Sequence, residues 1–284
     1  MKKACLVIVG LFVLLVFLSI VVTVAGKKGG SGEKIALVKI EGPIVVSQSI
    51  IDELEQYRED PTIKAIVIRV DSPGGAVAPS QEIYEEVKKA KEKKPVVVSM
   101  GSVAASGGYY VSAAATKILA NPGTITGSIG VIMEIPNLKG LMDKIGVKTE
   151  VIKSGKHKDL ASAFRGIGKE EREILQNVLN NVHEQFIRAV AQGRSIPIEK
   201  VRKIADGRIF TGQQAKEIGL IDEIGNLKDA IDLAAKLAGI KGKPRVVSKK
   251  EPFSILNLLT GQEKAQLLSL KDAFKWIQLK YMVY

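Results

Sequence analysis

Short apolar runs alternate with amphipathic stretches along most of the chain. The stretches 47–60 and 80–93 have the apolar spacing of amphipathic helices. Strands separated by helices of this length predict βαβ units and an α/β fold with a mostly parallel sheet. The apolar runs, which are typical of buried strands, are KIALVKIEG (34–42), IKAIVIRV (63–70), PVVVSM (95–100) and KILANP (117–122).

Helical patterns dominate the second half of the chain. Residues 169–194 predict a long helix with a mixed charged face, and further helices follow to about residue 240. The C-terminal tail, 241–284, differs in pattern from the rest of the chain and indicates an amphipathic helix. This helix would lie on a membrane, pack on its own domain or on a neighbour, or approach a substrate groove. Its helically spaced apolar residues are Leu267, Leu270, Phe274 and Ile277.

The N-terminal apolar run is much longer than the others. Residues 5–25 contain no charged side chain, and 21 such residues span a bilayer as a helix. Because the run exceeds the ~7–15-residue core of a cleavable signal, we predict a retained signal anchor over 1–26 and a flexible spacer over 27–33. With the N-terminus inside, the chain would be a single-pass cell-membrane protein whose bulk lies outside the cytoplasm.

The amino-acid composition argues against several kinds of site and partner. The single cysteine, Cys5, excludes an intrachain disulfide or thiolate metal site, and two histidines argue against a zinc hydrolase, so we expect no metal and no cofactor. The formal charge of +12 comes from scattered lysines, and aromatic residues make up only 5%. We therefore expect no nucleic-acid partner, because a basic surface beside an anionic bilayer explains the charge equally well.

Two glycine-bearing turns follow predicted strands. DSPGGAV (71–77) follows one, and ASGGYY (105–110) follows another. Ligands of open α/β sheets bind beyond the carboxyl ends of the strands. Gly75 and Gly107 could there offer two backbone N–H groups to one oxygen, as in an oxyanion hole. The same glycines also fit two tight strand-to-helix turns, so the pattern leaves both interpretations open.

Ser106 lies in MGSVAASGGYY (100–110), at the start of a predicted helix. It is either a helix N-cap or a nucleophile, and a nucleophilic hydroxyl needs a base. A lysine base would have to be desolvated to lower its pKa from ~10.4 toward neutrality. These residue types leave the choice of base open. The candidates, all within KSGKHKD (153–159), are Lys153, Lys156, His157 and Lys158.

Five ordered motifs together resemble the signal peptide peptidase A family in its short bacterial form, over roughly residues 34–240. This resemblance implies a Clp-protease/crotonase-type α/β fold and a Ser–Lys dyad. It implies Ser106 as nucleophile, Lys158 as general base, Gly75 and Gly107 as oxyanion donors, and Ser128 as the hydroxyl that holds the lysine amine. The motifs are DSPGG, MGSVAASGGYY, TGSIGVI (126–132), IKSGKHKD (152–159) and ADGRIFTGQQAKEIGLIDEIG (205–225).

The resemblance also implies a function. The expected protein is a membrane-anchored serine endopeptidase that degrades remnant signal peptides and other apolar unfolded peptides. It would be a homo-oligomer in which a neighbouring copy supplies the lysine, with a protease domain over 34–240. Two other functions compete with this one: a crotonase-type enzyme acting on an acyl-CoA thioester, and a non-catalytic membrane scaffold of the same fold.

Overall fold

The computed structural model describes residues 33–249 and the backbone of residues 280–282. Its helices are α1 (Gln48–Glu59), α2 (Val77–Lys93), α3 (Gly107–Ala113), α4 (Lys139–Lys144), α5 (Lys169–Arg194), α6 (Ile198–Ile204), α7 (Gly212–Glu217) and α8 (Leu227–Leu237). Its strands are β1 (Lys34–Glu41), β2 (Ile63–Ser72), β3 (Gly74–Ala76), β4 (Val96–Ala105), β5 (Lys117–Ala120), β6 (Ile125–Gly127), β7 (Ile209–Thr211), β8 (Glu223–Ile224), β9 (Arg245–Val247) and β10 (Lys280–Met282).

Eight of these strands form one sheet. Its order is β7-β6-β4-β2-β1-β9, with β5 beside β4 and β8 beside β5. Every neighbouring pair is parallel except β6 and β7, which run antiparallel. The predicted α/β fold with a mostly parallel sheet is therefore confirmed. The other two strands, β3 and β10, form a separate antiparallel pair.

Helices cover both faces of the sheet, and the strands contribute side chains to the apolar core on each face. In β2, Ile66 and Ile68 face a core that also includes residues of α1, α2, α3 and α5. Their neighbours Ala65 and Val67 face the opposite core, which α8 covers. This alternation is the period of two expected along a strand. Because both faces are buried, the central strands are apolar throughout.

Aromatic packing holds the short helix α3 in place. The hydroxyl of Tyr109 donates to the carbonyl of Leu220 at 2.9 Å, and burial raises the pKa of Tyr109. The ring of Tyr110 lies 5.0 Å from that of Tyr84 and 4.8 Å from that of Phe186. Contacts to α2, α5 and the loop before β8 therefore give the N-terminus of α3 a defined position.

Strand β4 is longer than its apolar run predicts, since it continues to Ala105 through a stretch of small residues. Close packing explains the extension. A Cβ at Gly101 would lie 2.6 Å from the Cγ of Asp71, and the N–H of Val103 donates to that carboxylate at 3.1 Å. The glycine thus lets β4 pass next to the end of β2.

The structure extends beyond the predicted protease domain at its C-terminal side. Strand β9 pairs with Lys34–Ala36 at the edge of the sheet. The predicted anchor, nearly all of the spacer and the predicted helix around Leu267–Ile277 lie outside the described residues. Across the parts of the chain that the structure does describe, no helix combines the length and apolar character needed to span a bilayer.

Candidate active site

Ser106 occupies a strained turn between β4 and α3. Its φ of 54° and ψ of −116° are rare for a residue with a Cβ. Its N–H donates to the carbonyl of Gly127 at 2.8 Å, and its carbonyl accepts from the N–H of Tyr110 at 2.8 Å. Sharp strand-to-helix turns of this kind present a nucleophilic hydroxyl at the end of a sheet.

The hydroxyl of Ser106 does not act as a helix cap. A capping serine accepts a hydrogen bond from the second or third N–H of its helix, and Ser106 makes no such bond. The residue is only 1% exposed, and its Oγ has no hydrogen-bond partner in the described part of the chain. A buried polar atom without a partner is costly and calls for a functional explanation.

The two candidate oxyanion glycines lie side by side. A Cβ on Gly107 would be 3.1 Å from the backbone nitrogen of Gly75 and 2.6 Å from the Oγ of Ser80. A Cβ on Gly75 would be 2.1 Å from the carbonyl oxygen of Ile44. Gly107 is also the first residue of α3, where an N–H has no partner within the helix. The turns thus bring two backbone N–H donors together beside Ser106.

Ser128 lies next to this group. It directly follows Gly127, whose carbonyl accepts the N–H of Ser106, and it is itself buried. Its φ of 50° is positive, and its N–H donates to the carbonyl of Arg208 at 2.9 Å. The fold therefore gathers Ser106, Gly75, Gly107 and Ser128 at the ends of neighbouring strands.

The predicted general base is not bonded to the serine within the chain. Lys158 lies in an exposed turn, where its N–H donates to the carbonyl of Gly155 at 3.1 Å. Since the Oγ of Ser106 has no partner among the described residues, no Ser106–Lys158 hydrogen bond exists in this single copy.

The other candidate bases have carboxylate neighbours. The Nζ of Lys153 contacts Asp159, and that of Lys156 contacts Glu170. The Nε2 of His157 lies 3.3 Å from the Oε1 of Glu170. Among the ion pairs of the described residues none involves Lys158, which distinguishes it from its two neighbouring lysines.

Arg165 ties the Lys158 turn to the start of α5. Its Nε donates to the Oδ2 of Asp159 at 2.8 Å, and its guanidinium also donates to Glu171 at 2.7 Å. The Arg165 guanidinium, together with Lys153, holds the pKa of Asp159 well below its usual range. The same guanidinium and the N–H of Gly168 lower the pKa of Glu171 to about 2. No signal in the sequence pointed to this network, because Arg165 lies outside the recognised motifs.

A cavity of about 390 Å³ opens beside Ser128. One wall comes from α5, and the Nε2 of His183 there is buried without a partner among the described residues. This cavity was not predicted from the sequence, although the spacing of Gln176, Asn180 and His183 places them on one face of α5. Its lining includes Ser128, Val131, Gln176, Asn180, His183 and Asp206.

This arrangement suits acyl transfer. A hydroxyl on a strained turn, with the backbone nitrogens of two glycine turns nearby, can attack a carbonyl whose oxygen such N–H groups would stabilise. No cluster of potential metal ligands occurs among the residues that the structure describes. The chemistry that these residues support is nucleophilic.

Comparison with known proteins gives family matches over most of the chain. The sequence profile of Peptidase family S49 matches residues 88–241, and that of Clp protease matches residues 34–124. A putative protease of Synechocystis sp. is 42% identical over 261 residues, which cover 89% of this chain and 94% of that protein. A putative signal peptide peptidase SppA of Enterococcus faecium is 34% identical over 86% of this chain and 75% of its own. A chloroplastic serine protease SPPA of Arabidopsis thaliana is 37% identical over 82% of this chain and 37% of its own length.

Proposed function

The chain belongs to Peptidase family S49 and is a serine protease, and we propose that it cleaves peptides with a catalytic dyad of Ser106 and Lys158. One observation carries this proposal. The hydroxyl of Ser106 is buried without a partner on a strained turn, beside the N–H groups of Gly75 and Gly107. A serine held in this way is available to a substrate and to a base.

The proposed reaction is an acyl transfer through Ser106. Neutral Lys158 accepts the hydroxyl proton while Oγ attacks the peptide carbonyl. The N–H groups of Gly75 and Gly107 stabilise the negative charge that develops on the carbonyl oxygen. Lys158 then returns the proton to the leaving amine, and water hydrolyses the acyl-enzyme. Ser128 would hold the lysine amine in place.

The proposed active form is a homo-oligomer in which a neighbouring copy supplies Lys158. Three features of the described residues support this. The Ser106 hydroxyl is unpaired, Lys158 lies in an exposed turn, and the cavity beside Ser128 has room for a lysine side chain. The segment leading to that turn also exposes Ile145 and Ile152, apolar residues that a second copy would cover.

The proposed setting is the cell membrane. Residues 1–26 would form a single signal anchor, 27–33 a spacer, and 34–240 a protease domain outside the cytoplasm. The proposed substrates are remnant signal peptides and other apolar unfolded segments, which such an anchor would bring close. The similarity to a putative signal peptide peptidase supports this substrate class.

Hydrolysis of apolar fluorogenic peptides by the full chain tests the dyad. We expect Ser106→Ala and Lys158→Ala each to lose activity on the order of 10³-fold or more. Lys156→Ala is the matched control, because it removes a neighbouring lysine that already contacts Glu170. Full activity in folded Lys158→Ala would reject the dyad. Turnover of an acyl-CoA thioester instead of peptides would favour the crotonase-type alternative.

A mixing experiment tests the shared site. Ser106→Ala and Lys158→Ala proteins, each inactive alone, would be assembled together. Sites that combine the intact serine of one copy with the intact lysine of another should restore activity. Co-assembled mixtures that stay inactive would place both residues in one copy.

A further inference from the structure

The edge of the sheet where the parallel strands begin is rich in basic residues. Strands β1, β2, β4, β5 and β9 all start at this edge, which we call the amino edge. The N–H of Lys34 donates to the carbonyl of Thr62 at 3.1 Å, and Lys34 lies opposite Arg245 where β1 pairs with β9. The basic residues at the amino edge are Lys34, Lys64, Lys93, Lys94, Lys117, Lys241, Lys243 and Arg245.

Several acidic residues of the amino edge are engaged within the domain. The carboxylate of Glu59 lies 2.7 Å from the Nζ of Lys93, and that of Asp222 lies 3.0 Å from the Nζ of Lys117. The carboxylate of Asp60 accepts the backbone N–H two residues further on, at 2.8 Å. The basic residues outnumber the acidic ones, so the edge keeps an excess of positive charge. Its other acidic residues, all exposed, are Glu33, Glu92 and Glu223.

Three lysines carry much of this excess. Lys64, at the start of β2, and Lys241 and Lys243, in the turn before β9, are all exposed. None of the three belongs to an ion pair within the part of the chain that the structure describes. The Nζ of Lys94 donates to the carbonyl of Tyr57 at 2.6 Å. Burial lowers the pKa of Lys94, and the charge of nearby Lys64 adds to this effect. Cations are thus held close together here without a carboxylate for each.

A surface of this kind fits the phosphate groups of anionic lipids. Clusters of lysines beside a membrane segment attract such lipids over about a Debye length. Lys34 opens β1, and the residues before it include the proposed spacer and anchor. The seven residues of the spacer, 27–33, reach at most about 25 Å when extended. We propose that the amino edge is a lipid-facing surface that binds anionic headgroups, an inference that rests on the membrane setting of the proposed function.

The chemistry of lysine defines how this contact would behave. An ammonium is a strongly hydrated point charge, so it would recognise the phosphate charge rather than the shape of one headgroup. The attraction would also weaken as salt is added. Ser106 follows the far end of β4, a strand of ten residues, and therefore lies about 30 Å from the amino edge. The proposed site would then receive peptides that have already left the bilayer.

Acetylation of lysines in the full chain tests the surface. The protein would be reconstituted in nanodiscs of phosphatidylcholine alone, or of equal parts phosphatidylcholine and phosphatidylglycerol, and acetylation rates would be read by peptide mapping. Lys64, Lys241 and Lys243 should react about fivefold more slowly in the anionic discs, and added salt should remove the difference. Lys169 is the internal control, because it is exposed and opens α5, the helix that borders the cavity beside Ser128.

Each result separates this surface from the proposed function. Equal rates in both membranes, for protein that is incorporated and hydrolyses peptides, would overturn the surface and leave the protease and its anchor standing. Equal protection of Lys169 would show unselective adhesion and would also overturn it. A chain that stays outside the zwitterionic discs, yet is protected at the three lysines by anionic ones, would reject the anchor and support the surface. Protection by added RNA but not by anionic lipid would assign the edge to another partner and overturn the proposal.

Charge reversal supplies a second test. The variant Lys64→Glu/Lys241→Glu/Lys243→Glu should lose the lipid-dependent protection of Lys34, which remains as a reporter. The matched control, Lys169→Glu/Lys200→Glu/Lys203→Glu, changes the net charge equally at exposed lysines of α5 and α6 and should keep that protection. Peptide hydrolysis checks that both variants are folded. The same loss of protection in both would show that net charge, and not the amino edge, determines the contact.

Discussion

The Nε of Arg165 lies 2.8 Å from the Oδ2 of Asp159, the residue that directly follows Lys158. The same guanidinium reaches Glu171 in the first turn of α5, at 2.7 Å. A planar guanidinium bonded to two carboxylates fixes the relative orientation of those carboxylates as well as the distance between them. Through this link, the turn that carries the proposed base is tied to the longest helix of the described residues.

Loss of Arg165 should therefore disturb catalysis more than folding. We expect Arg165→Ala to lower kcat by about 10- to 100-fold, because small misplacements of a catalytic group are costly. KM should change little, and Arg165→Lys should retain part of the activity. Arg188→Ala is the control, since it removes an arginine of an exposed pair on α5. An unchanged kcat in Arg165→Ala would show that the tie does not position Lys158.

The Arg165–Glu171 pair should make stability depend on pH. The pKa of Glu171 falls from 4.5 to about 2 in the folded chain, mainly because of Arg165. A lowered carboxyl pKa gives stability that is complete above the unfolded value and is lost as the pH falls through the folded value. Wild-type protein should thus melt at a higher temperature than Glu171→Gln at neutral pH. This difference should shrink between about pH 4.5 and about pH 2, and a difference that stays constant in thermal melts would contradict the assignment.

Gly75 should tolerate no side chain. A Cβ there would lie 2.1 Å from the carbonyl oxygen of Ile44, so Gly75→Ala must shift β3 and its N–H. Displacing one oxyanion donor should lower kcat on the order of 10²–10³-fold. Gly123→Ala is the matched control, because a Cβ at Gly123 meets no atom within 4 Å. Peptide hydrolysis, with melting temperature as the check on folding, measures both. A folded, fully active Gly75→Ala would remove Gly75 from the site.

Asp222 should be important for stability. Its carboxylate lies 2.8 Å from the guanidinium of Arg194 and 3.0 Å from the Nζ of Lys117, and the Arg194 side chain is only 7% exposed. Asp222→Ala would leave that arginine buried without its partner, at a cost of about 3–5 kcal/mol. Glu85→Ala, which breaks an exposed pair with Lys88, should cost at most ~1 kcal/mol. Urea denaturation compares the two, and equal costs would contradict this account.

The sequence predicted the large elements of the fold well. The helix expected over 169–194 has those limits in the structure, and the strands of the predicted sheet are present. Strands of two or three residues, such as β6 and β8, were not predicted because they are too short for a period to appear. Strand β10 was not predicted either, since it depends on pairing with residues about 200 positions away.

The candidate site was predictable in part. The glycine turns and Ser106 come together because the carboxyl ends of neighbouring parallel strands meet at one edge of the sheet. The position of Lys158 relative to Ser106 could not be predicted from spacing, because a motif does not specify which copy of the chain completes a site. The assignments of Ser106, Lys158, Gly75, Gly107 and Ser128 stay predictions for the experiments above.

The unpaired hydroxyl of Ser106 has a consequence for when such a protein can act. If the base comes from a neighbouring copy, a newly made chain is inert, and its activity appears only as copies accumulate. The rate of proteolysis would then rise more steeply than the number of chains. A cell could hold isolated copies without harm, and the local density of the protein would serve as its switch.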